Sequence, residues 1–294
     1  MASIKERALA LFEKLHLEIF ERLSAADRSA STRMDEWTHE QGGGGKTYIL
    51  KDGSILEKAG VNFSAVTSRL SETLATRINT QPQNIFATGT SLVIHPFSPM
   101  IPTVHMNLRY LELENGDAWF GGGMDMTPWY FFDEDARHFH RVLKSVCDRH
   151  EPSFYTRFKK NCDEYFYIKH RNEARGVGGI FFDYLREDKE HSIHFVGDVG
   201  HVFLDAYLPI AERRKNEPWG DREKMWQLIR RGRYAEFNLL YDRGTLFGLE
   251  TRGRTESILM SLPPEVKWEY DHQAEPNSRE SALVEVLQKP REWA

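Results

Sequence analysis

The chain has 294 residues, 40% of them hydrophobic and 28% charged, with a formal net charge of −5. That length buries a sizeable core without cross-links, and the mix of residues is that of a globular protein and not of a disordered one. The acidic balance argues against a general affinity for nucleic acid. The two cysteines, Cys147 and Cys162, form neither a disulfide framework nor a metal motif. Both read as small packed apolar groups in a reducing cytoplasm.

Residues 4–23 carry Leu9, Leu11, Phe12, Leu15, Ile19 and Phe20 at helical spacing, which predicts an amphipathic helix. No uninterrupted apolar run interrupts the charges there, so neither a secretory signal nor a membrane span is expected. The glycine run 42–45, followed by Lys46, lacks P-loop spacing, and residues 47–50 read as a strand. The run is therefore a turn, or a loop that closes over a ligand, and the turn is the simpler reading. A helix is expected over 63–75.

Residues 90–95 read as a strand with Ser91, Val93 and His95 on one face. Pro96, Pro99 and Pro102 then make a stiff connection. Residues 103–113 give the strongest strand signal: Val104, Met106, Leu108 and Tyr110 share one face, and His105, Asn107 and Arg109 the other. Paired antiparallel, the two strands put Ser91, His95, His105, Asn107 and Arg109 on one concave surface. A solvated outer face would carry such residues too. A guanidinium beside an imidazole and an amide also suits a carboxylate ligand.

Beyond the strand-like Trp119 and Phe120, the glycines 121–123 suggest a turn that either aims Asp125 at a ligand or simply reverses the chain. Helices are expected over 134–150, where Ala136, Phe139, Val142, Leu143 and Val146 form a stripe, and over 153–165, 200–215 and 222–233. Strands are expected over 177–182, 234–242, 246–251 and 256–262, the second of these ending at Asp242. Basic clusters at Arg213 to Lys215 and at Arg230, Arg231 and Arg233 read as solvated helix faces. No repeat or linker divides the chain. The elements together predict one α+β domain over 1–294 with a mainly antiparallel sheet.

Twelve histidines raise the question of a metal, but no zinc-type pattern marks a site, and His138 and His140 point to different sides of their helix. His95 and His105 could converge through the hairpin, and His170 lies in a polar run, so the residues alone leave the question open.

Several irregular words identify a resemblance. They are AGVNFS at 59–64, FGGG at 120–123 with Asp125, Thr127 and Pro128, KHRNE at 169–173, GRY at 232–234, EFNL at 236–239, DRGT at 242–245, ESILMSLPP at 256–264 and WEY at 268–270. With the stretches between them, from about 36 to 293, they resemble the aerobic coproporphyrinogen III oxidases. The resemblance implies a homodimer, joined through about 235–270, and a large antiparallel sheet flanked by helices on both faces. It implies that two propionates of coproporphyrinogen III, on rings A and B, become vinyl groups to give protoporphyrinogen IX. O₂ is consumed and CO₂ released, without flavin, nicotinamide or haem. The family's substrate-binding positions match Ser91, His105, Asn107, Arg109, Gly253 and Arg254, and its proton-donating histidine matches His105. A divalent metal, manganese or iron, is implied at His95, His105, His140 and His170.

The chain departs from the family pattern at Met106, Arg252, Tyr184 and the loop 97–100. None of these is a matched catalytic position. The chemistry of the residues agrees with the resemblance: Arg109 and Arg254 suit carboxylates, and Asp125 and Asp242, if opposed, could accept the pyrrole N–H groups. Asp242 is the first choice for removing a pyrrole proton, after which the electron-rich ring reacts with O₂. A porphyrin carrier without turnover, or a histidine-ligated non-haem oxygenase, are the other readings.

Overall fold

The alternation at 90–113 places the centre of the molecule. β1 (Ser31–Thr38), β2 (Gly43–Lys51), β3 (Leu56–Arg69), β4 (Asn84–Pro96), β5 (Thr103–Leu113) and β6 (Ala118–Thr127) follow one another along the chain. After the two-residue strands β7 (Tyr167–Ile168) and β8 (Glu173–Ala174), β9 (Gly178–Leu185) joins at the β6 edge. The resulting seven-stranded sheet has the order β1-β2-β3-β4-β5-β6-β9, and every neighbouring pair is antiparallel. The computed structural model describes residues 2–294.

One face of this sheet is core. Val104, Met106, Leu108 and Tyr110 are buried there with Val61, Leu92, Ile94, Phe120 and Met124. Each such large apolar side chain contributes about 1.5–3 kcal/mol through burial. They lie under α1 (Ile4–Ala26), α3 (Asp133–His150), α4 (Phe154–Tyr165) and α5 (Lys189–Arg214), whose own buried stripes are Phe12, Leu15 and Ile19; Phe139, Leu143 and Val146; Phe154 and Phe158; and Phe195, Val199 and Phe203. Ser3 and Glu6 close a reciprocal capping box at the start of α1. A short α2 (Glu72–Arg77) covers one end of the sheet, where Leu74 packs with Ile85, Leu113 and Trp119.

The opposite face carries the polar residues and is covered by the C-terminal third: α6 (Asp221–Leu240), α7 (Arg243–Glu250), α8 (Thr255–Leu259) and α9 (Arg279–Gln288). Its covering joins a small apolar cluster, in which Val93 packs with Trp226, Tyr234 and Met260, to polar contacts. Asn62 donates to the Ser257 carbonyl, Lys58 to that of Leu262, and Thr47 meets the Ser257 hydroxyl at 2.7 Å. Met260 rests on Gly60, where a Cβ would lie 1.3 Å from its sulfur. The architecture is α+β, with helices on both faces of a large antiparallel sheet. Among the described residues, no helix is long and apolar enough to cross a membrane.

Four expectations are corrected. Residues 63–69 continue β3, and the helix begins only after Ser71, whose hydroxyl caps the Leu74 N–H. The segment 234–240 is the second half of α6. Its buried positions, Gln227, Arg230, Arg231, Tyr234, Phe237 and Asn238, repeat at helical spacing, but three of them are arginine or asparagine, so the apolar pattern hid the period. Leu239, which alternation put on a strand's apolar face, and its neighbour Leu240 are both exposed. The expected strands 246–251 and 256–262 instead hold α7 and α8, with a turn after α8. The glycines 121–123 lie within β6 and not in a turn.

Candidate active site

The register decides which polar residues meet. His105 lies opposite Val93 on β4 and Asp125 on β6; Asn107 opposite Ser91 and Gly123; Arg109 opposite Gly89 and Gly121. Directly opposed residues share a face, so Ser91, His95, His105, Asn107, Arg109 and Asp125 all project from the face covered by α6 to α8. Ser91, His105, Asn107 and Arg109 are half-buried, whereas His95 and Asp125 are buried.

Asp125 does not present a carboxylate to open space: its side chain is 1% exposed. His105 Nδ1 donates to Asp125 Oδ1 at 3.0 Å, and Arg175 Nη2 donates to both carboxylate oxygens at 2.8 Å. Burial alone would raise the Asp125 carboxyl, but the Arg175 charge and the His105 hydrogen bond outweigh it and hold it below the usual carboxylate range. An ionised carboxylate only accepts, so His105 carries its proton on Nδ1. The histidine is thus the group that Asp125 orients.

Asp242 was expected at a strand end; it is the N-cap of α7. Its Oδ2 accepts the Thr245 N–H and hydroxyl at 2.8 and 2.9 Å, and its Oδ1 accepts the Tyr165 hydroxyl at 2.8 Å. An N-cap aspartate accepting the N–H three residues on is a standard capping arrangement, which explains why DRGT begins a helix. Burial would raise this carboxyl too. The nearby His105 and these donors keep it below its ordinary value. His105 is thus bonded to one aspartate, Asp125, and acts through its charge on the other, Asp242, in the covering layer.

The two arginines expected to hold carboxylates already hold aspartates. Arg109 donates to Asp183 at 2.7 Å, and Arg254 to Asp35 at 3.0 and 3.1 Å. A Cβ at Gly121 would stand 2.5 Å from Asp183 Oδ1 and 3.1 Å from Arg109 Nε, so glycine leaves room for that pair. Gly253 N donates to the Gly248 carbonyl at 2.8 Å, next to Arg252 in left-handed backbone with φ 56°. Of the other departures, Met106 faces the core, and Tyr184, also at φ 56°, stacks on Trp119 at 5.4 Å.

The four histidines implied as metal ligands are not brought together, and among the described residues no three His, Cys, Asp or Glu side chains converge on one point. His95 Nε2 donates to the Ser261 carbonyl at 2.9 Å, with Nδ1 at 3.2 Å from the Thr103 hydroxyl. His140, on α3 at the core face, donates Nε2–H to the Val177 carbonyl and accepts from the Tyr155 hydroxyl, both at 3.0 Å. Burial holds both imidazoles neutral, His95 well below its ordinary value and His140 down to about 3. His170 is bonded to Glu236 and Tyr241, each at 2.7 Å. These residues do not fit one shared ion: in His95, His140 and His170 both ring nitrogens are already hydrogen-bonded, so each would have to give up one of its bonds.

Sequence reasoning missed Arg175, Tyr165, Asp183 and Asp35. Arg175 follows KHRNE without any periodic signal. The other three are identified only by what the fold sets against them.

The polar face of the antiparallel sheet and its covering layer thus carry a histidine oriented by Asp125 and two arginines paired with aspartates. A family model described as coproporphyrinogen III oxidase matches residues 7–293. An oxygen-dependent coproporphyrinogen-III oxidase of Drosophila melanogaster is 45% identical over 306 aligned positions, covering 99% of this chain and 78% of the relative. The chain belongs to the coproporphyrinogen III oxidase family.

Proposed function

We infer that this protein is an oxygen-dependent coproporphyrinogen III oxidase: it converts two propionates of coproporphyrinogen III to vinyl groups, with O₂ as oxidant. The observation that carries the reading is the row His105, Asn107 and Arg109 on the covered face, with the charge of Asp242 near His105, in a chain 45% identical to an enzyme of that name. Arg109 and Arg254 exchange their aspartate partners for substrate carboxylates. Asp242 takes a pyrrole proton, which leaves an electron-rich ring to react with O₂. From each propionate CO₂ leaves and a hydride equivalent, one proton with two electrons, passes to O₂, which with one further proton becomes H₂O₂. His105, fixed through Nδ1, offers Nε2 for proton delivery. The protein binds, orients and excludes water.

The chain works as a homodimer through the region 235–270. Leu239, Leu240, Leu249, Trp268 and Tyr270 are large, exposed side chains in that region, and such patches favour association. Sedimentation of the wild type against Leu240→Glu tests it. Two buried thiols, Cys147 and Cys162, agree with residence in the cytoplasm.

Incubation of chelator-treated protein with coproporphyrinogen III, with and without O₂, tests the function. Oxygen-dependent protoporphyrinogen IX and CO₂ are expected. Binding without product under any condition would leave only a carrier.

A further inference from the structure

Beside Asp125 and against α6, the chain buries a full positive charge. Arg175 is 2% exposed as a side chain and faces Asp125, which is 1% exposed. Its Nη2 reaches both Asp125 oxygens at 2.8 Å, and its Nη1 donates to Asn238 Oδ1 at 2.7 Å. The rings of Phe166, Tyr234 and Phe237 lie 4.0, 4.6 and 4.8 Å from the guanidinium carbon. Its backbone is fixed as well: the Arg175 N–H bonds to the Phe166 carbonyl at 2.8 Å. The preceding Glu173 forms a buried pair with Arg230 of α6.

We infer that Arg175 is a positioning residue for the reaction: it clamps Asp125 so that His105 stays the Nδ1–H tautomer with Nε2 left for the substrate. Two properties of the geometry lead there. A carboxylate with no exposure needs a counter-charge to stay ionised, and Arg175 supplies it. A planar fork gripping both oxygens fixes the plane of the carboxylate, and hence the direction in which Oδ1 meets His105. The groups that face His105 are Asp125 and the edge of Phe166, with the charge of Asp242 close by on the covering layer and that of Arg175 behind Asp125.

This inference rests on the reading of His105 as a group that touches substrate, and the test separates the two. Histidine-¹⁵N labelling of the resting protein reads the tautomer of His105 without any substrate. In the wild type the neutral ring should be the Nδ1–H tautomer; an Nε2–H ring there overturns the inference whatever the variants do. In Arg175→Gln the neutral ring should no longer be held as one tautomer, and kcat should fall about tenfold with KM changed less than about threefold. Arg175→Lys, which keeps the counter-charge, should restore most of the Nδ1–H population and of kcat. A folded Arg175→Gln protein whose neutral His105 is still wholly Nδ1–H makes Arg175 merely structural and overturns the inference. The expected NMR shifts without any turnover of coproporphyrinogen III by the wild type would uphold the clamp and defeat the functional reading instead.

Discussion

Tyr165 is wedged between Asp242 and the chain that follows it: its hydroxyl donates to Asp242 Oδ1 at 2.8 Å and accepts the backbone N–H of Arg243 at 2.9 Å. The phenol is itself pinned by Phe181, stacked at 4.4 Å with the rings 4° from parallel. Because Tyr165 lies on α4 and Asp242 opens α7, this one contact fixes the carboxylate of the covering layer to the layer beneath the sheet edge.

If Asp242 takes the pyrrole proton, Asp242→Asn should lower kcat by about 10²–10⁴-fold. Tyr165→Phe, which removes one hydrogen bond to a charged group, should cost about tenfold. Product formation under saturating substrate measures both. Near-normal turnover of the asparagine variant would assign the proton to another group.

The arginine pairs predict opposite effects of neighbouring substitutions. Arg254→Met should raise KM for a tetracarboxylate, by about 1.5–3 kcal/mol for a charged hydrogen bond lost. Asp35→Asn, which frees Arg254, should lower it. Gly121→Ala forces a methyl into the Arg109–Asp183 pair and should raise KM with little change in kcat. Steady-state kinetics on the three variants decide it. Equal effects of Arg254→Met and Asp35→Asn would mean that the pair is only structural.

Stability should fall in mild acid. His16 is buried, with Nε2 bonded to the Val61 carbonyl at 3.1 Å. Burial, with help from Lys46, lowers its pKa from 6.5 to about 4. The unfolded chain takes up a proton near 6.5 and the folded chain does not. Stability is therefore full above pH 6.5 and is lost as pH falls through the window to about 4, by about 1.4 kcal/mol per unit. His140, lowered to about 3, extends the same slope further. Thermal melts from pH 7 to 4 should show it. In His16→Phe the slope should shrink by one proton's worth, and an unchanged slope would place the proton uptake elsewhere.

The four histidines should behave as four separate residues. His140→Asn breaks two buried hydrogen bonds and should destabilise by about 1–3 kcal/mol, through Tm and not kcat. His170→Ala, on the surface beside Glu236, should cost less than about 1 kcal/mol. His105→Ala should keep Tm and lose turnover. Melting curves, kcat and bound-metal content on the same preparations read this. Loss of metal and activity together in all of them would make them one ligand set.

Much of the fold and half of the site were legible along the chain because strand periodicity is local. The alternation of Val104, Met106, Leu108 and Tyr110 against His105, Asn107 and Arg109 states which side of β5 is core, and steric geometry alone then puts the three polar residues together. The stripes of α1 and α3 are local in the same sense. The end of α6 was not legible, because Ala235, Phe237, Leu239 and Tyr241 alternate as a strand's apolar face would; nor does a local rule tell a buried arginine such as Arg230 or Arg231 from a solvated one. What only the tertiary structure decided is which charges face each other. Asp125 and Asp242 look alike as residues beside glycines, yet one is sealed behind His105 by Arg175, 50 residues away, and the other is held by Tyr165, 77 residues away. A carboxylate's role depends on its dielectric surroundings and its donors, and those are assembled by folding.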